Sequence, residues 1–353
     1  MTALETFEIK PGYVISRLIR GGWQLAGDHG AVDRAHVTDD LAAFYDAGVT
    51  TFDCADIYTG VEEMYGAFRA AMLQSRGADA LARLKVHTKF VPDIDLLPRI
   101  TAADVRRIIE RSLHRLRMER LDLVQFHWWD YAEPRYVETA LHLRELQAEG
   151  KIDLVSGTNF DADHVQEIAD AGVRFATLQV QYSLLDHRPA GRLADTCAQL
   201  GTRLLCYGTL AGGFLSDRWL GQAEPAATPT NRSLVKYKLI IDEFGGWDLF
   251  QDLLGTLRRV ADRHGASIAN VASRHVLDQP LVAGVIVGAR HAGHLQDTLQ
   301  LAALRLSAQD RQDIAAVLAQ ARGPAGEVYA LERDRNGPHG RIMKYNLGDA
   351  PPA

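Results

Sequence analysis

GVTTFDCADIYTGVEEMY, residues 48–65, is the stretch that decides the fold of this chain. Its apolar run gives way to a loop, and at that point the Asp53 carboxylate and the Tyr58 phenol stand five positions apart. Lys89 in KVHTKF and His127 in LDLVQFHWW occupy the corresponding positions of later runs, 31 residues after Tyr58 and 38 residues after Lys89. Four polar groups at consecutive strand ends would meet at one mouth, which is the layout of an active site.

The spacing of these residues is that of a (β/α)8 barrel, a fold that uses about 31 residues for each strand and its helix. Amphipathic segments such as 101–117 and 161–172 separate most of the apolar runs, and Thr101 and Asp161 are their predicted N-caps. Apolar strands that alternate with helices favour a parallel sheet, and eight of them favour a closed TIM barrel. The predicted strands are 17–21, 49–55, 84–90, 121–127, 151–157, 173–180, 202–208 and 281–288.

A doubly wound α/β sheet is the alternative fold. That fold usually has a GxGxxG motif in the turn between its first strand and its first helix. Here the first predicted strand is followed only by RGGWQLAGDHG, which lacks this pattern. The sequence therefore favours the barrel.

We expect a single domain over residues 1–353, with the barrel at about 17–303 and a C-terminal helix and tail at about 304–353. The tail is polar in its middle, but it carries aromatic residues, including Tyr329 and Tyr345. Aromatic side chains bury large apolar areas, so we expect the tail to pack on the rest of the domain.

A long insertion at 209–280 separates the last two predicted strands. Its sequence predicts a loop with glycines and prolines and then two helices, DLFQDLLGTLRRVADRHG and SIANVASRHVLDQ. Loops of this length are unusual unless they cover a functional site or are disordered.

Composition points to a large soluble enzyme domain, because 47% of the 353 residues are hydrophobic and 24% are charged. The net charge of −6 comes without basic blocks, which argues against nucleic acid or an anionic membrane as partner and leaves a small molecule. No export signal is evident, and the longest apolar run, 281–288, is too short to span a bilayer. Cys54, Cys197 and Cys206 show no CxxC spacing, so we expect reduced thiols in a cytoplasmic protein.

Seven motifs of this chain resemble the aldo-keto reductase family, in the family's order and near its spacing. They are FDCADIYTG, KVHTKF, LVQFHWW, SGTNF, LQVQYSLLD, YGTLAGGFL and VIVGARHAGHLQD. Together they cover most of the chain, from the first predicted strand to the helix after the eighth. The resemblance implies an NADPH-linked carbonyl reductase that uses Asp53, Tyr58, Lys89 and His127.

Carbonyl reduction explains why these residue types are needed. Hydride delivery to carbon builds negative charge on oxygen, which a nearby acid must protonate. Tyr58 is the expected acid, and Lys89 is expected to lower its pKa from about 10; a shift of two units corresponds to about 2.7 kcal/mol. Asp53 would keep Lys89 charged and in place, and His127 would orient the carbonyl oxygen as a neutral donor.

Each of the four residues has a simpler structural explanation when it is taken alone. Asp53 can cap a helix, Tyr58 can be a packing residue and Lys89 can be a solvated charge at a strand end. His127 can be a core histidine whose hydrogen bonds are satisfied within the fold. Independent structural causes would not place all four at consecutive strand ends, so their joint spacing favours catalysis.

The same resemblance implies a nicotinamide nucleotide at the C-terminal face of the barrel. Thr158, Asn159 and Gln179 are the implied partners of the nicotinamide carboxamide, and Tyr207 is implied to stack on the ring. The following loop would offer backbone amides to the pyrophosphate, since its glycines carry no Cβ, although an ordinary turn explains the glycines better when they are taken alone. The implied loop residues are Gly208, Leu210, Gly212 and Gly213.

The expected cofactor is NADP, with NAD as the alternative. Arg290, just past the eighth strand, is expected to pair with the adenosine 2′-phosphate through charge-assisted hydrogen bonds. His294 would add to this pairing when protonated, and Asp297 is expected to meet the adenine amino group. His294 and Thr298 replace residues that are common in the family at these positions, an arginine or glutamine and an asparagine, so NAD stays open.

Aromatic residues are expected to line a mouth above Tyr58 that suits an apolar or sugar-like aldehyde, although such residues can equally serve packing. They are Trp23, Phe90, Trp128 and Trp129. Two other functions stay open: a nucleotide-binding regulatory or redox-sensing protein with little turnover, and an NAD-dependent sugar or alcohol dehydrogenase. A metal-dependent barrel hydrolase is disfavoured, because the strand ends carry no HxH motif or His/Asp cluster, and no metal is expected.

Overall fold

The structure, a computed structural model, describes residues 4–26, 36–226, 231–289 and 291–347. Its β-strands are β1 (Thr6–Lys10), β2 (Tyr13–Ser16), β3 (Leu18–Gly21), β4 (Thr51–Asp53), β5 (Lys85–Phe90), β6 (Leu121–Phe126), β7 (Ile152–Thr158), β8 (Thr177–Gln181), β9 (Arg203–Tyr207) and β10 (Val282–Gly288). Its α-helices are α1 (Val37–Asp46), α2 (Val61–Arg83), α3 (Ala102–Leu116), α4 (Tyr136–Ala148), α5 (Ala162–Asp170), α6 (Arg192–Leu200), α7 (Arg232–Phe244), α8 (Trp247–His264), α9 (Ile268–Leu277), α10 (Leu295–Ala303), α11 (Ala308–Leu318) and α12 (Ala330–Arg333).

Strands β3 to β10 form a closed parallel barrel, in which β10 pairs with both β9 and β3. These are the eight strands that the sequence predicts, each within a few residues of its expected bounds. Parallel strands in a closed barrel bring all their carboxyl ends to one face. The predicted (β/α)8 TIM barrel is therefore confirmed, and the doubly wound sheet is excluded.

A short antiparallel hairpin, β1 and β2, precedes the barrel and is not predicted from the sequence. Tyr13 and Ile15 on β2 are buried and pack with Ile19, Leu123 and Leu205, which lie on three different barrel strands. Leu123 is near the start of its strand, so the hairpin closes the N-terminal end of the barrel. The C-terminal end of the barrel is therefore the end at which a functional site is expected.

The predicted helix starts are confirmed by their caps. The Thr101 hydroxyl accepts a hydrogen bond from the amide of Asp104, whose carboxylate in turn accepts one from the amide of Thr101, so that α3 begins with a capping box. The Asp161 carboxylate accepts from the amide of His164 and starts α5 in the same way. Both side chains satisfy amides that the first helical turn leaves without partners.

The insertion between β9 and β10 contains the two predicted helices, which are α8 and α9, and one helix that was not predicted, α7. Tyr237, Ile240, Ile241 and Phe244 recur on α7 at helical spacing and are buried. They belong to a second apolar cluster, which also contains Phe250 of α8. The insertion is thus a packed layer beside the barrel mouth.

The C-terminal tail also packs, as its aromatic residues predict. Tyr329 is buried, and the ring of Tyr345 contacts that of Trp129 edge to face, with 5.2 Å between ring centres. Trp129 directly follows His127 and Trp128 at the end of β6. The tail therefore returns across the C-terminal face of the barrel.

Cys54, Cys197 and Cys206 are buried free thiols, in line with the expected reduced state. Within the described residues, no helix combines the length and the apolar character that crossing a membrane requires.

Gly66 marks the closest approach between two of the outer helices. A Cβ atom at this position of α2 would lie 2.1 Å from the carbonyl oxygen of Arg115, near the end of α3. Gly255, in the middle of α8, has space instead, because the nearest atom to its Cβ position is 3.8 Å away.

We predict that Gly66→Ala lowers the free energy of unfolding by about 1–3 kcal/mol, because α2 and α3 must move apart. Gly255→Ala, the matched control, should be neutral or stabilising by up to about 1 kcal/mol, since alanine favours helix. Urea unfolding followed by circular dichroism measures both. A Gly66→Ala protein as stable as the wild type would show that this contact does not limit helix packing.

Candidate active site

The four polar residues named from the sequence come together at the C-terminal mouth of the barrel. Asp53 ends β4, Lys89 is the penultimate residue of β5, His127 directly follows β6, and Tyr58 lies in the loop between β4 and α2. All four line one cavity of about 670 Å³. That size is within the range of small-molecule and cofactor sites.

Lys89 and Asp53 form a buried ion pair. Lys89 Nζ lies 2.9 and 2.8 Å from the two carboxylate oxygens of Asp53, and it also donates to the carbonyl oxygen of Cys54 at 2.8 Å. The two side chains are only 7% and 6% exposed. An ammonium group has three protons, so these contacts use the donors of Lys89 fully.

Two glutamines complete this network from the next strands. Gln125 on β6 and Gln179 on β8 each donate an amide proton to Asp53 Oδ1, at 2.9 and 2.7 Å. Gln179 Nε2 also lies 2.7 Å from Gln125 Oε1. A buried carboxylate is costly unless charges and hydrogen bonds compensate it, and here the three side chains of Lys89, Gln125 and Gln179 do so. Gln125 is not predicted from the sequence.

Tyr58 lies against both the ion pair and the aromatic wall of the cavity. Its ring centre is 5.3 Å from Lys89 Nζ and 5.0 Å from the ring centre of Trp23. Burial, and after it the negative charge of Asp53, raises the pKa of Tyr58 well above 10. The expectation that Lys89 lowers this pKa is therefore wrong for the free protein, because Asp53 compensates the positive charge of Lys89 and burial decides the balance.

His127 is neutral, as expected. Burial, and after it the positive charge of Arg333, lowers the pKa of His127 to about 3. Nδ1 lies 3.3 Å from the carbonyl oxygen of Thr158, and Nε2 is a buried atom with no hydrogen-bond partner within the described residues. Nε2 is thus left for a ligand.

The contact with Thr158 bears on the donor role expected of His127. A carbonyl oxygen can only accept, so the contact favours the tautomer that carries its proton on Nδ1. In that tautomer Nε2 is an acceptor, which suits a substrate hydroxyl. Donation to a carbonyl needs the other tautomer, in which Nδ1 faces the Thr158 oxygen without a proton. His127 thus has two neutral tautomers. The free protein favours the one that carries its proton on Nδ1, whereas the expected donor role needs the one that carries it on Nε2.

Most of the residues predicted to hold a cofactor line the same cavity. They are Thr158, Asn159, Gln179, Tyr207, Gly208, Leu210, Gly212 and Gly213. The Tyr207 hydroxyl donates to Asn159 Oδ1 at 2.9 Å, which fixes the Tyr207 ring at the wall. Since Gln179 Nε2 is committed to Asp53 and Gln125, the amide oxygen of Gln179 is the atom left for a carboxamide.

The adenosine end of the expected site is less complete. Arg290 lies outside the described residues. His294 and Asp297 are not among the described residues that line the cavity, and the His294 ring stacks on His291 with 4.9 Å between ring centres. Their proposed contacts to adenosine therefore stay predictions.

Of the four aromatic residues expected at the mouth, Trp23 and Trp129 line the cavity. The other two need correction, because Phe90 and Trp128 are fully buried in the core and do not line it. Their rings form an aromatic chain through Phe126 behind the barrel wall. Trp128 Nε1 also donates to two backbone carbonyl groups of the adjoining loop.

Helix α7 and the tail add cavity residues that the sequence did not predict. Lys236 and Tyr237 come from α7, and Tyr329, Met343 and Lys344 come from the tail. The insertion and the tail have no strand period to place them, so only their apolar residues indicate that they pack. No cluster of His, Cys, Asp or Glu suited to a metal ion is found in the described part of the chain.

We predict that Tyr58 stays protonated in the free protein up to about pH 10, because burial and Asp53 both disfavour the phenolate. Ultraviolet difference titration at the phenolate band, wild type against Tyr58→Phe, measures this directly. Circular dichroism at each pH controls for alkaline unfolding. An ionisation step near pH 8 that the variant lacks would restore the lowered pKa expected from the sequence.

Comparison with known proteins agrees with this geometry. Residues 17–319 match the aldo/keto reductase family. The chain is 25% identical over 320 residues to the aldo-keto reductase YhdN of Bacillus subtilis, which covers 87% of this chain and 91% of that protein. It is 28% identical over 260 residues to flagellar radial spoke protein 5 of Chlamydomonas reinhardtii, covering 64% of this chain and 49%, about half, of that protein.

A solved structure, the glycerol dehydrogenase AKR11B4 from Gluconobacter oxydans, superposes with a TM-score of 0.73 at 24% identity, covering 91% of this chain and 97% of that one. This likeness supports the fold. The family match spans the barrel and all seven motifs that carried the resemblance. The chain therefore belongs to the aldo/keto reductase family and is an oxidoreductase that acts on carbonyl or alcohol groups.

Proposed function

We propose that this chain reduces an aldehyde or ketone to an alcohol with a nicotinamide cofactor, and that Tyr58 is the general acid. The observation that carries this proposal is the convergence on one cavity of three elements. These are the Tyr58 phenol, the unpartnered Nε2 of His127 and the compensated pair of Lys89 and Asp53. Because they line the same cavity, a carbonyl oxygen bound there could be held by His127 and protonated by Tyr58.

The residues present fit a nicotinamide dinucleotide. Thr158, Asn159 and the free amide oxygen of Gln179 offer polar partners of the kind that a carboxamide needs. Gly213 has a φ of +101°, and a Cβ at this position would meet no atom within 4 Å, so its backbone is open to close approach by a phosphate. Arg218, which also lines the cavity, adds positive charge for phosphates.

A bound reduced nicotinamide supplies the hydride to the carbonyl carbon. As charge develops on the oxygen, Tyr58 transfers its phenolic proton there, and the product is an alcohol. The phenolate that remains lies beside Lys89, whose Nζ is 5.3 Å from the ring centre. Lys89 thus stabilises the deprotonated acid as it forms, which is a role compatible with a high pKa in the free protein.

The substrate end of the cavity is aromatic and apolar. Trp23, Trp129 and Tyr329 line it, together with Ile342 and Met343 from the tail. Such a surface suits a carbonyl compound with an aromatic or extended apolar body, because flat rings bury large areas against each other. The proposed substrate class is therefore an aldehyde or ketone with an apolar part.

A second candidate function, alcohol oxidation, is favoured by the His127 tautomer. The contact of Nδ1 with the Thr158 carbonyl leaves Nε2 as an acceptor, which matches an alcohol hydroxyl better than a carbonyl oxygen. Rates with reduced cofactor and aldehydes, compared with rates with oxidised cofactor and the corresponding alcohols, decide the direction. A regulatory nucleotide-binding role would instead show saturable cofactor binding and negligible turnover in both directions.

We predict that Tyr58→Phe leaves cofactor affinity nearly unchanged and lowers kcat for carbonyl reduction by at least about a hundredfold, the scale of losing a donor to a developing oxyanion. Cofactor oxidation with a panel of aldehydes measures kcat, and quenching of tryptophan fluorescence measures cofactor binding. Tyr45→Phe is the matched control, because Tyr45 is buried and its hydroxyl donates to the carbonyl oxygen of Ala80, away from the cavity. A Tyr58→Phe enzyme that keeps most of its kcat would rule out the proposed acid.

The cofactor is proposed to be NADP, with Arg290 as the residue that recognises the 2′-phosphate. A guanidinium pairs with phosphate through charge-assisted hydrogen bonds worth about 1.5–3 kcal/mol, or roughly ten- to a hundredfold in affinity. We therefore predict that wild type binds NADPH more tightly than NADH and that Arg290→Ala loses this preference. Dissociation constants for both nucleotides test it, with Arg305→Ala as control, because Arg305 pairs with Glu5. Equal wild-type affinities, or an unchanged ratio in Arg290→Ala, would contradict it.

A further inference from the structure

Lys236, on helix α7, is one of the residues that line the cavity. Its Nζ lies over three tyrosine rings, at 5.5 Å from the centre of Tyr207, 5.7 Å from that of Tyr237 and 5.6 Å from that of Tyr329. These rings come from the end of β9, from α7 and from the tail. The barrel, the insertion and the tail thus converge on one cation.

Glu332, the carboxylate beside Lys236, forms no hydrogen bond of ordinary length with the ammonium group. Glu332 on α12 is 1% exposed, and its Oε1 lies 3.4 Å from Nζ, longer than the 2.7–2.9 Å typical of charge-assisted hydrogen bonds. Neither carboxylate oxygen of Glu332 has a hydrogen bond within the described residues. Arg188 approaches Glu332 only to 3.6 Å, because Asp186 holds its guanidinium at 2.9 and 2.7 Å.

Both partners are charged in the folded protein. Burial, the largest single influence, lowers the pKa of Lys236, but the Glu332 carboxylate, Tyr237 and Tyr329 together outweigh it and leave this pKa above its ordinary value. Burial alone would raise the pKa of Glu332, but Lys236 and Arg188 outweigh it and leave this pKa lowered. The group therefore holds two cations, Lys236 and Arg188, against two anions, Asp186 and Glu332.

The cavity as a whole has an excess of positive charge. Among the described residues that line it, the charged ones are Asp53, Lys89, Arg218, Lys236 and Lys344. Asp53 and Lys89 compensate each other at 2.8 Å. Glu332, which is not among the lining residues, balances Lys236. The excess positive charge of the lining is therefore that of Arg218 and Lys344, and positive charge on a concave surface attracts anionic ligands.

Lys236 is also close to the reacting groups. The ring centre of Tyr329 is 5.6 Å from Lys236 Nζ and 5.6 Å from the ring centre of His127. Nζ therefore lies at most about 11 Å from the His127 ring centre. A small molecule can place its carbonyl group at His127 and a second group at Lys236.

We propose that Lys236 is the recognition point for an anionic group, a carboxylate or a phosphate, carried by the carbonyl substrate. This inference rests on the proposed function and adds a substrate class to it. Glu332 keeps the ammonium charged and in place while no ligand is bound. The aromatic rings around Nζ exclude water, which strengthens its attraction for an anion that enters.

The first test compares two aldehydes of similar shape, 4-carboxybenzaldehyde and 4-methylbenzaldehyde. Wild type should favour the carboxylated aldehyde by at least about tenfold in kcat/KM, and Lys236→Met should lose this factor for that aldehyde alone. Lys238→Met is the matched control, because Lys238 lies on the same helix but pairs with Glu224 and Asp242 instead of lining the cavity. The double variant with Lys236→Met and Glu332→Gln avoids leaving a buried carboxylate unpaired, so a folding defect of the single variant does not decide the result.

The second test measures binding without turnover. The probes are 4-(hydroxymethyl)benzoate and 4-methylbenzyl alcohol, titrated by tryptophan fluorescence with the apoprotein and with reduced cofactor, under which neither alcohol reacts. Tighter binding of the benzoate that is lost in Lys236→Met supports the inference, even if wild type reduces neither aldehyde and the proposed function fails. Equal binding of the two probes by wild type would overturn it. A weaker affinity for NADPH or NADH in Lys236→Met, with the probe preference intact, would also overturn it by assigning the lysine to the cofactor phosphates.

Discussion

The buried ion pair of Lys89 and Asp53 is the interaction on which the rest of the site depends. It joins β4 to β5 inside the barrel mouth, and amides from β6 and β8 converge on the same carboxylate. Removing one partner of such a pair typically costs about 3–5 kcal/mol, because the other charge is left buried alone. The pair therefore fixes the strand ends relative to one another, and the positions of Tyr58 and His127 follow from it.

A compensated pair has a chemical consequence as well. Burial, and after it the negative charge of Asp53, raises the pKa of Tyr58 and keeps its proton in place. Tyr58, the proposed acid, is thus held in its protonated form, which is the form that the proposed reduction consumes. In the proposed reaction, the charge of Lys89 has its effect once the proton has left and a phenolate stands beside it, so the interaction would act mainly on the transition state and the product.

The eight strands and the four polar residues could be predicted from the sequence because each strand and its helix take up a similar number of residues. The strand ends, and the polar residues on them, therefore recur at a regular spacing along the chain. The alternation of side chains along each strand is a second period of the sequence. Side chains alternate along a strand, so Lys89 facing the mouth requires Phe90 to face the helices, and His127 facing the mouth requires the same of Trp128. The same rule turns Gln125 inward, two residues before His127, where it meets Asp53. The strand period does not extend to α7 or the tail, whose positions depend on how their apolar residues pack against the barrel.

Helix α7 and the tail line the cavity and so limit what the barrel mouth can accept. Helix α7 lies directly against the glycine-rich loop after β9: a Cβ at Gly208 would come within 2.3 Å of the Tyr237 hydroxyl, and Gly208 has a φ of +73°, in the left-handed region. Glycine is therefore required at position 208 for two reasons, the left-handed backbone conformation and the close approach of helix α7. The helix that demands this glycine also carries Lys236, so the loop cannot be altered freely without moving that cation. The proposed catalytic groups belong to the barrel, whereas the proposed anion-binding Lys236 belongs to the insertion, which can differ between proteins without any change in the barrel residues below it.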